Sequence, residues 1–174
     1  MPTSPPSALL VAIAEAEPLV AEHRLRFDPV ARRGVPAHVT ALFPFLARDD
    51  LDVDVLARVA AVAATREPFD YVFATTQWFD RDVLFLAPDH PAPFVSLTRA
   101  LVREFPDHPP YGGAYDDLAP HLTVAHGSRE ADPDVLEAEL TAGLPIAGRA
   151  GHLTLMTEDE EGRWTVLRRF PLGA

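Results

Sequence analysis

The chain has 174 residues, 48% hydrophobic and 24% charged, a composition that fits one soluble globular domain and excludes disorder and collagen-like repeats. It contains no cysteine, which removes disulfides, thiol catalysis, iron–sulfur clusters and cysteine-ligated zinc together. The 26 acidic residues outnumber 15 basic ones, all Arg, for a net charge of -11; this excludes lysine chemistry and argues against a broad grip on nucleic-acid backbones, which needs basic surface.

A Pro/Ser-rich tail (Pro2 to Pro6) leads into the apolar stretch Ala8–Ala14. Nothing basic precedes it and Glu15 and Glu17 follow, so it reads as a first buried strand rather than a secretory leader. No apolar run reaches the 18 residues of a membrane span, and the expected location is the cytoplasm. Glu17-Pro18 opens a helix to about Phe27, with Pro where its missing N–H costs nothing. Asp28-Pro29 caps a short turn that Gly34 stops, and His38–Phe43 is an apolar strand closed by Pro44. Asp50 to Thr65 has helical spacing, Phe69–Phe79 reads as a strand, and Asp80-Arg81-Asp82 turns it into Val83–Ala87. Pro91 to Phe105 is a helix with Phe94, Leu97, Leu101 and Val102 on one face, and Asp107 to Leu118 is a broken loop. A strand His121–Ala125, a helix from Asp132-Pro133 to about Leu140, and a hairpin of Ile146–Thr157 with Arg163–Phe170 complete the chain. Hairpins at the end of each half predict an α+β fold with mainly antiparallel sheets, built as two pseudo-symmetric lobes within one domain over residues 1–174.

Two segments repeat one pattern: Val35-Pro36-Ala37-His38-Val39-Thr40-Ala41 and Leu118-Ala119-Pro120-His121-Leu122-Thr123-Val124-Ala125. On a strand, His and Thr two residues apart share a face, while Val39 and Ala41, or Leu122 and Val124, point into a core. A polar pair on an apolar strand is costly to bury without partners, so both strands should present His-plus-Thr to a cleft. Two imidazoles near neutral pH supply one base and one acid, and two hydroxyls supply donors for an oxyanion. That set suits in-line attack on a phosphodiester without a metal or other cofactor.

Paired His-x-Thr motifs half a chain apart, inside two β-α-β-type halves, resemble the two-histidine phosphoesterase superfamily, whose members include LigT-like 2'-5' RNA ligases and RNA 2',3'-cyclic phosphodiesterases. The resemblance spans the first strand to the last hairpin. It implies a bilobal fold with the site between the lobes and metal-free hydrolysis of 2',3'-cyclic phosphates to 2'-phosphates. Carried onto this sequence, it makes His38 and His121 the catalytic pair and Thr40 and Thr123 substrate-binding residues. The expected ligand is a small cyclic-phosphate nucleotide or a short RNA end, with no membrane and no obligate protein partner.

Other residues carry weaker signals. A third His-x-Thr, His152-Leu153-Thr154, lacks the Pro and Ala of the other two and reads as a sheet-face histidine; lining a cleft, it would bind substrate rather than move protons. Tyr111 and Tyr115 lie in a Gly-containing loop upstream of the second motif, and Tyr115 is a candidate for stacking on a base. Phe45, just beyond the first motif strand, is expected to border the cleft and bind substrate. Arg168 and Arg169 are adjacent, so only one faces any cleft; they read as solvated edge charges, with bidentate pairing to a phosphate as the alternative. His121 and His126 are five apart and show no regular metal-ligand spacing. The rival readings are a non-catalytic module binding nucleotides or RNA ends in the same cleft, and a metal-dependent hydrolase.

Overall fold

The computed structural model describes residues 4–114, 118–127 and 132–174. Eight strands and five helices alternate as β1 (Ser7–Ala12), α1 (Glu17–Phe27), α2 (Pro29–Arg32), β2 (His38–Leu42), α3 (Val53–Ala64), β3 (Phe69–Phe79), β4 (Val83–Pro88), α4 (Ala92–Glu104), β5 (Leu122–His126), α5 (Pro133–Ala142), β6 (Ile146–Ala150), β7 (His152–Glu158) and β8 (Trp164–Pro171). Helix starts follow local chemistry. Asp28, Asp52 and Asp132 cap α2, α3 and α5 by accepting from the backbone N–H groups of Val30 (3.3 Å), Val55 (2.8 Å) and Asp134 (3.0 Å). Pro stands in the first turn of α1, α2 and α5.

The strands form two antiparallel four-stranded sheets, ordered β2-β1-β7-β8 and β5-β4-β3-β6. Helices α3 and α4 pack on the first sheet, and α1 and α5 on the second. Leu9, Val11, Val39, Ala41, Leu153 and Leu155 of the first sheet and Leu122 and Val124 of the second lie in one large apolar core with residues of these helices. A second, smaller cluster on the opposite face of the first sheet joins Ala8, Leu10, Met156 and Trp164 to Val35. The α+β, antiparallel, two-lobed architecture expected from the hairpins is present. The first lobe is assembled from both ends of the chain: β1 and β2 open it, and β7 and β8 complete it.

One strand assignment is corrected. Ile146–Thr157 is two strands, because the chain leaves the second sheet after Ala150 and enters the first at His152. Residues of the large core shift from even positions (Ile146, Ala150) to odd ones (Leu153, Leu155) across Gly151. A Cβ at Gly151 would meet nothing within 4 Å, so the link runs through open space. Apolar residues on both sides disguise the crossing as one long strand. Among the described residues no helix is long and apolar enough to cross a membrane.

The topology places β2 and β5 at the edge of their respective sheets, and these two edges touch. The two motif strands therefore meet where the lobes meet.

Candidate active site

On β2, Val39 and Ala41 are buried in the core while His38 and Thr40, on the other face, stay partly open to solvent. The second motif repeats this: Leu122 and Val124 are fully buried, and His121 and Thr123 are half-buried on the opposite side. The strand period of two separates polar from apolar residues as the sequence pattern requires. In each motif the imidazole is fixed in the same way. His38 Nδ1 donates to the carbonyl of Pro36 at 2.7 Å, and His121 Nδ1 donates to the carbonyl of Ala119 at 2.7 Å. A carbonyl only accepts, so the proton of each neutral ring resides on Nδ1 and Nε2 is left with its lone pair.

The two rings sense one another electrostatically. Burial lowers the pKa of His38 to about 4; the neighbouring charges of Arg24 and His121 push the same way, against the bond to Pro36. Burial also lowers the pKa of His121, opposed by its bond to Ala119. Both imidazoles are thus neutral at pH 7 when no anion lies between them. An anion placed beside the rings would favour imidazolium instead.

Arg24 is a residue that sequence reasoning missed. It sits in α1, is 2% exposed, and forms an ion pair with the equally buried Asp28 at 3.0 Å. Its Nε also donates to the carbonyl of Thr123 in β5 (3.2 Å), and Nη1 donates to the carbonyl of Val35 just before β2 (3.1 Å). One guanidinium therefore ties together the backbones of both motif segments. The sequence signal was slight: an Arg and an Asp four apart at a helix end, a spacing common on solvated surfaces.

The other wall is aromatic. Phe79 and Phe85 stack with centroids 4.2 Å apart, and both meet the His121 ring edge-on, at 5.2 and 5.5 Å. Phe79 is 38% exposed, whereas Phe85 is buried. In the sheet register Thr123 pairs with Phe85, and Phe85 with Gln77, so these three share one face. The pair was legible only as ordinary strand residues.

Phe45 does not border the cleft, and its expected substrate contact is corrected. It is 4% exposed and packs edge-on against Phe105 (5.0 Å) and His108 (5.9 Å), in the core behind β2. The residue lies past the end of β2, where strand alternation no longer fixes its direction. Tyr115 falls outside the described residues. Tyr111, in the same loop, donates its backbone N–H to the carbonyl of Phe43 at 2.6 Å, which holds the loop against the end of β2. Trp78 donates to Glu137 of α5, and Trp164 packs on Phe43, so both tryptophans serve packing. His126 lies 3.9 Å from Asp82 at the surface. Among the described residues no three His, Asp or Glu side chains converge as a metal site would require.

Comparison with known proteins bears on this geometry. The family model for the 2'-5' RNA ligase superfamily matches residues 5–162. No curated protein matches the sequence. Solved structures share the fold: TT0787 of Thermus thermophilus superposes with a TM-score of 0.67 at 19% identity, covering 97% of this chain and 98% of that one. Escherichia coli LigT complexed with 3'-AMP gives 0.62 at 16% identity, over 98% and 99% of the two chains. LigT complexed with phosphate gives 0.60 at 16% identity, over 99% of each. At such identities the likeness is one of fold.

Proposed function

We propose that this chain, which belongs to the 2'-5' RNA ligase superfamily, is a metal-independent phosphodiesterase that opens the 2',3'-cyclic phosphate of a nucleotide or short RNA end. The whole of residues 1–174 works as one domain around the cleft, and the cysteine-free sequence suits the cytoplasm. The observation that carries the reading is the matched pair of Nδ1 anchors, which leaves two Nε2 atoms, on two adjoining strands, free for proton transfer. LigT, of the same fold, has been crystallised with 3'-AMP and with phosphate, ligands of the chemical class assigned here.

His38, the more strongly deprotonated ring, is the base and His121 the acid. Water attacks phosphorus opposite one ring oxygen, and His38 Nε2 takes the water proton as the new P–O bond forms. The opposite P–O bond breaks, and the Nε2 proton of His121 passes to the leaving oxygen. The pair ends with its protonation exchanged and resets by exchange with solvent. Thr40 and Thr123 hold the non-bridging oxygens, whose charge grows in the transition state. Each well-placed proton transfer contributes about 10²–10⁴ in rate.

The test is turnover of a nucleoside 2',3'-cyclic phosphate in the presence of chelator. Activity should survive chelation and fall at least 100-fold, about the lower limit for one lost proton transfer, in both His38→Ala and His121→Ala. Loss on chelation would overturn the metal-free scheme, and binding without turnover would make the cleft a recognition module. A kcat/KM profile with an acid-shifted bell is expected, since one ring must hold a proton that the free site releases below its ordinary pKa.

A further inference from the structure

The face of the first sheet turned away from the large core carries, beside the smaller apolar cluster, polar residues well beyond β2. Its register runs in one row across all four strands: Thr40 of β2 pairs with Leu10 of β1, Leu10 with Thr154 of β7, and Thr154 with Arg169 of β8. Residues directly opposite one another share a face, so Arg169 projects on the same side as Thr40. This separates the adjacent arginines. Arg168 turns to the other face, where it lies 5.4 Å from the ring centroid of the core residue Phe170.

The third His-x-Thr falls into place on the same face. His152 stands two residues from Thr154 toward the end of β1 where Ala12 pairs with His38. His152, Ala12 and Arg169 are all exposed, while Leu10, part of the smaller apolar cluster, and Thr154 are buried between them. With about 4.8 Å between neighbouring strands, the His152 backbone lies about 10 Å from that of His38, and Arg169 about 14 Å from Thr40. Neither side chain makes an ion pair or hydrogen bond with the described residues. Other arginines, such as Arg26, Arg48 and Arg99, also lack an ion pair with the described residues; Arg169 stands out by its place in the register row that begins at Thr40.

We propose that His152 and Arg169 form a second anion subsite on the same cleft face, which binds a phosphate on the 5' side of the nucleotide whose cyclic phosphate meets His38 and His121. The guanidinium fork matches two phosphate oxygens, and the imidazole supplies a further donor. The inference rests on the phosphodiesterase reading and narrows it. The preferred substrate carries two phosphates, the second being either a terminal 5'-phosphate or the internucleotide phosphate of a longer strand.

Binding is measured first, because it does not depend on turnover. A nucleoside 3'-phosphate and the corresponding 3',5'-bisphosphate are titrated by calorimetry into the wild-type protein, Arg169→Gln and Arg169→Lys. The bisphosphate should bind at least 10-fold more tightly to the wild type, and Arg169→Gln should bring its affinity down to that of the monophosphate. Arg169→Lys, with a charge but no fork, should fall between. Equal affinities in the wild type, or an equal loss for both ligands in Arg169→Gln, would overturn the subsite. Turnover then compares a nucleoside 2',3'-cyclic phosphate, its 5'-phosphorylated form and a dinucleotide ending in a cyclic phosphate. Preference for the second over the third identifies a terminal phosphate, and the reverse an internucleotide one; no preference over the first overturns the subsite. A bisphosphate advantage lost in Arg169→Gln, without turnover of any substrate, would retain the subsite and sink only the phosphodiesterase reading.

Discussion

The two motif strands use one device in two environments. Both histidines are held through Nδ1 by the carbonyl two residues upstream, at the same 2.7 Å. Behind His38 stands a buried cation, Arg24, whose charge adds to burial in disfavouring imidazolium. Beside His121 stand two phenylalanines, which desolvate the ring without opposing its charge directly. On the proposed scheme, identical anchoring with unequal surroundings would give a symmetric pair distinct roles. Anchoring sets where each lone pair points, and the surroundings set which ring gives up its proton first.

That comparison can be broken from either side. The largest expected effect is at Arg24. Arg24→Met leaves Asp28 buried without its partner, and denaturant unfolding should show a loss of about 3–5 kcal/mol. In the milder Arg24→Lys, the planar fork is lost while a charge remains. If Arg24→Met folds, the His38 resonance followed by NMR should titrate at higher pH than in the wild type, while that of His121 moves less. Equal movement of both rings would dissolve the distinction.

Next in size are the hydroxyls. Thr40→Val and Thr123→Val should each lower kcat by roughly 10²–10³, the cost of one lost oxyanion donor. Unfolding midpoints should stay close to the wild type, since both residues are only partly buried. A matching loss of stability would make the hydroxyls structural. Phe79→Ala should weaken nucleotide binding by about 1–3 kcal/mol if the exposed ring stacks on a base. The same substitution should leave inorganic phosphate binding nearly untouched, which tells stacking from a general collapse of the wall.

The last effect is a slope. Because His38 titrates at about 4 when folded and near 6.5 when unfolded, the unfolded state binds more protons between these values. Stability contributed by neutral His38 is therefore full above about pH 6.5 and falls as the pH drops toward 4. His38→Asn should flatten this part of a plot of melting temperature against pH. An unchanged slope would mean that the ring is better solvated than its position on β2 implies.

Much of this was readable beforehand, because it depends on local rules. The alternation in His38-Val39-Thr40-Ala41 and His121-Leu122-Thr123-Val124 fixes which residues face the core, and the repeat itself identified the strands that had to meet. Helix starts at Asp28-Pro29 and Asp132-Pro133 follow from capping chemistry confined to a few residues. What escaped depends on contacts far apart in sequence. Arg24 reaches Thr123 across 99 residues, and nothing in α1 alone separates it from a solvated arginine. Phe45 turned inward because Phe105 and His108 were there to receive it. The change of sheets at Gly151 was hidden because both strands are apolar, so hydrophobicity continued while direction changed.

The hydrogen bonds that set both ring tautomers run to main-chain oxygens, and this has a consequence for inheritance. A carbonyl is supplied by every amino acid, so replacing Pro36 or Ala119 does not by itself delete the acceptor. Drift can therefore rewrite the residues surrounding each imidazole while the direction of its lone pair persists. Lineages built on such a scaffold are free to change what they recognise without having to reinvent how they hold these two imidazoles.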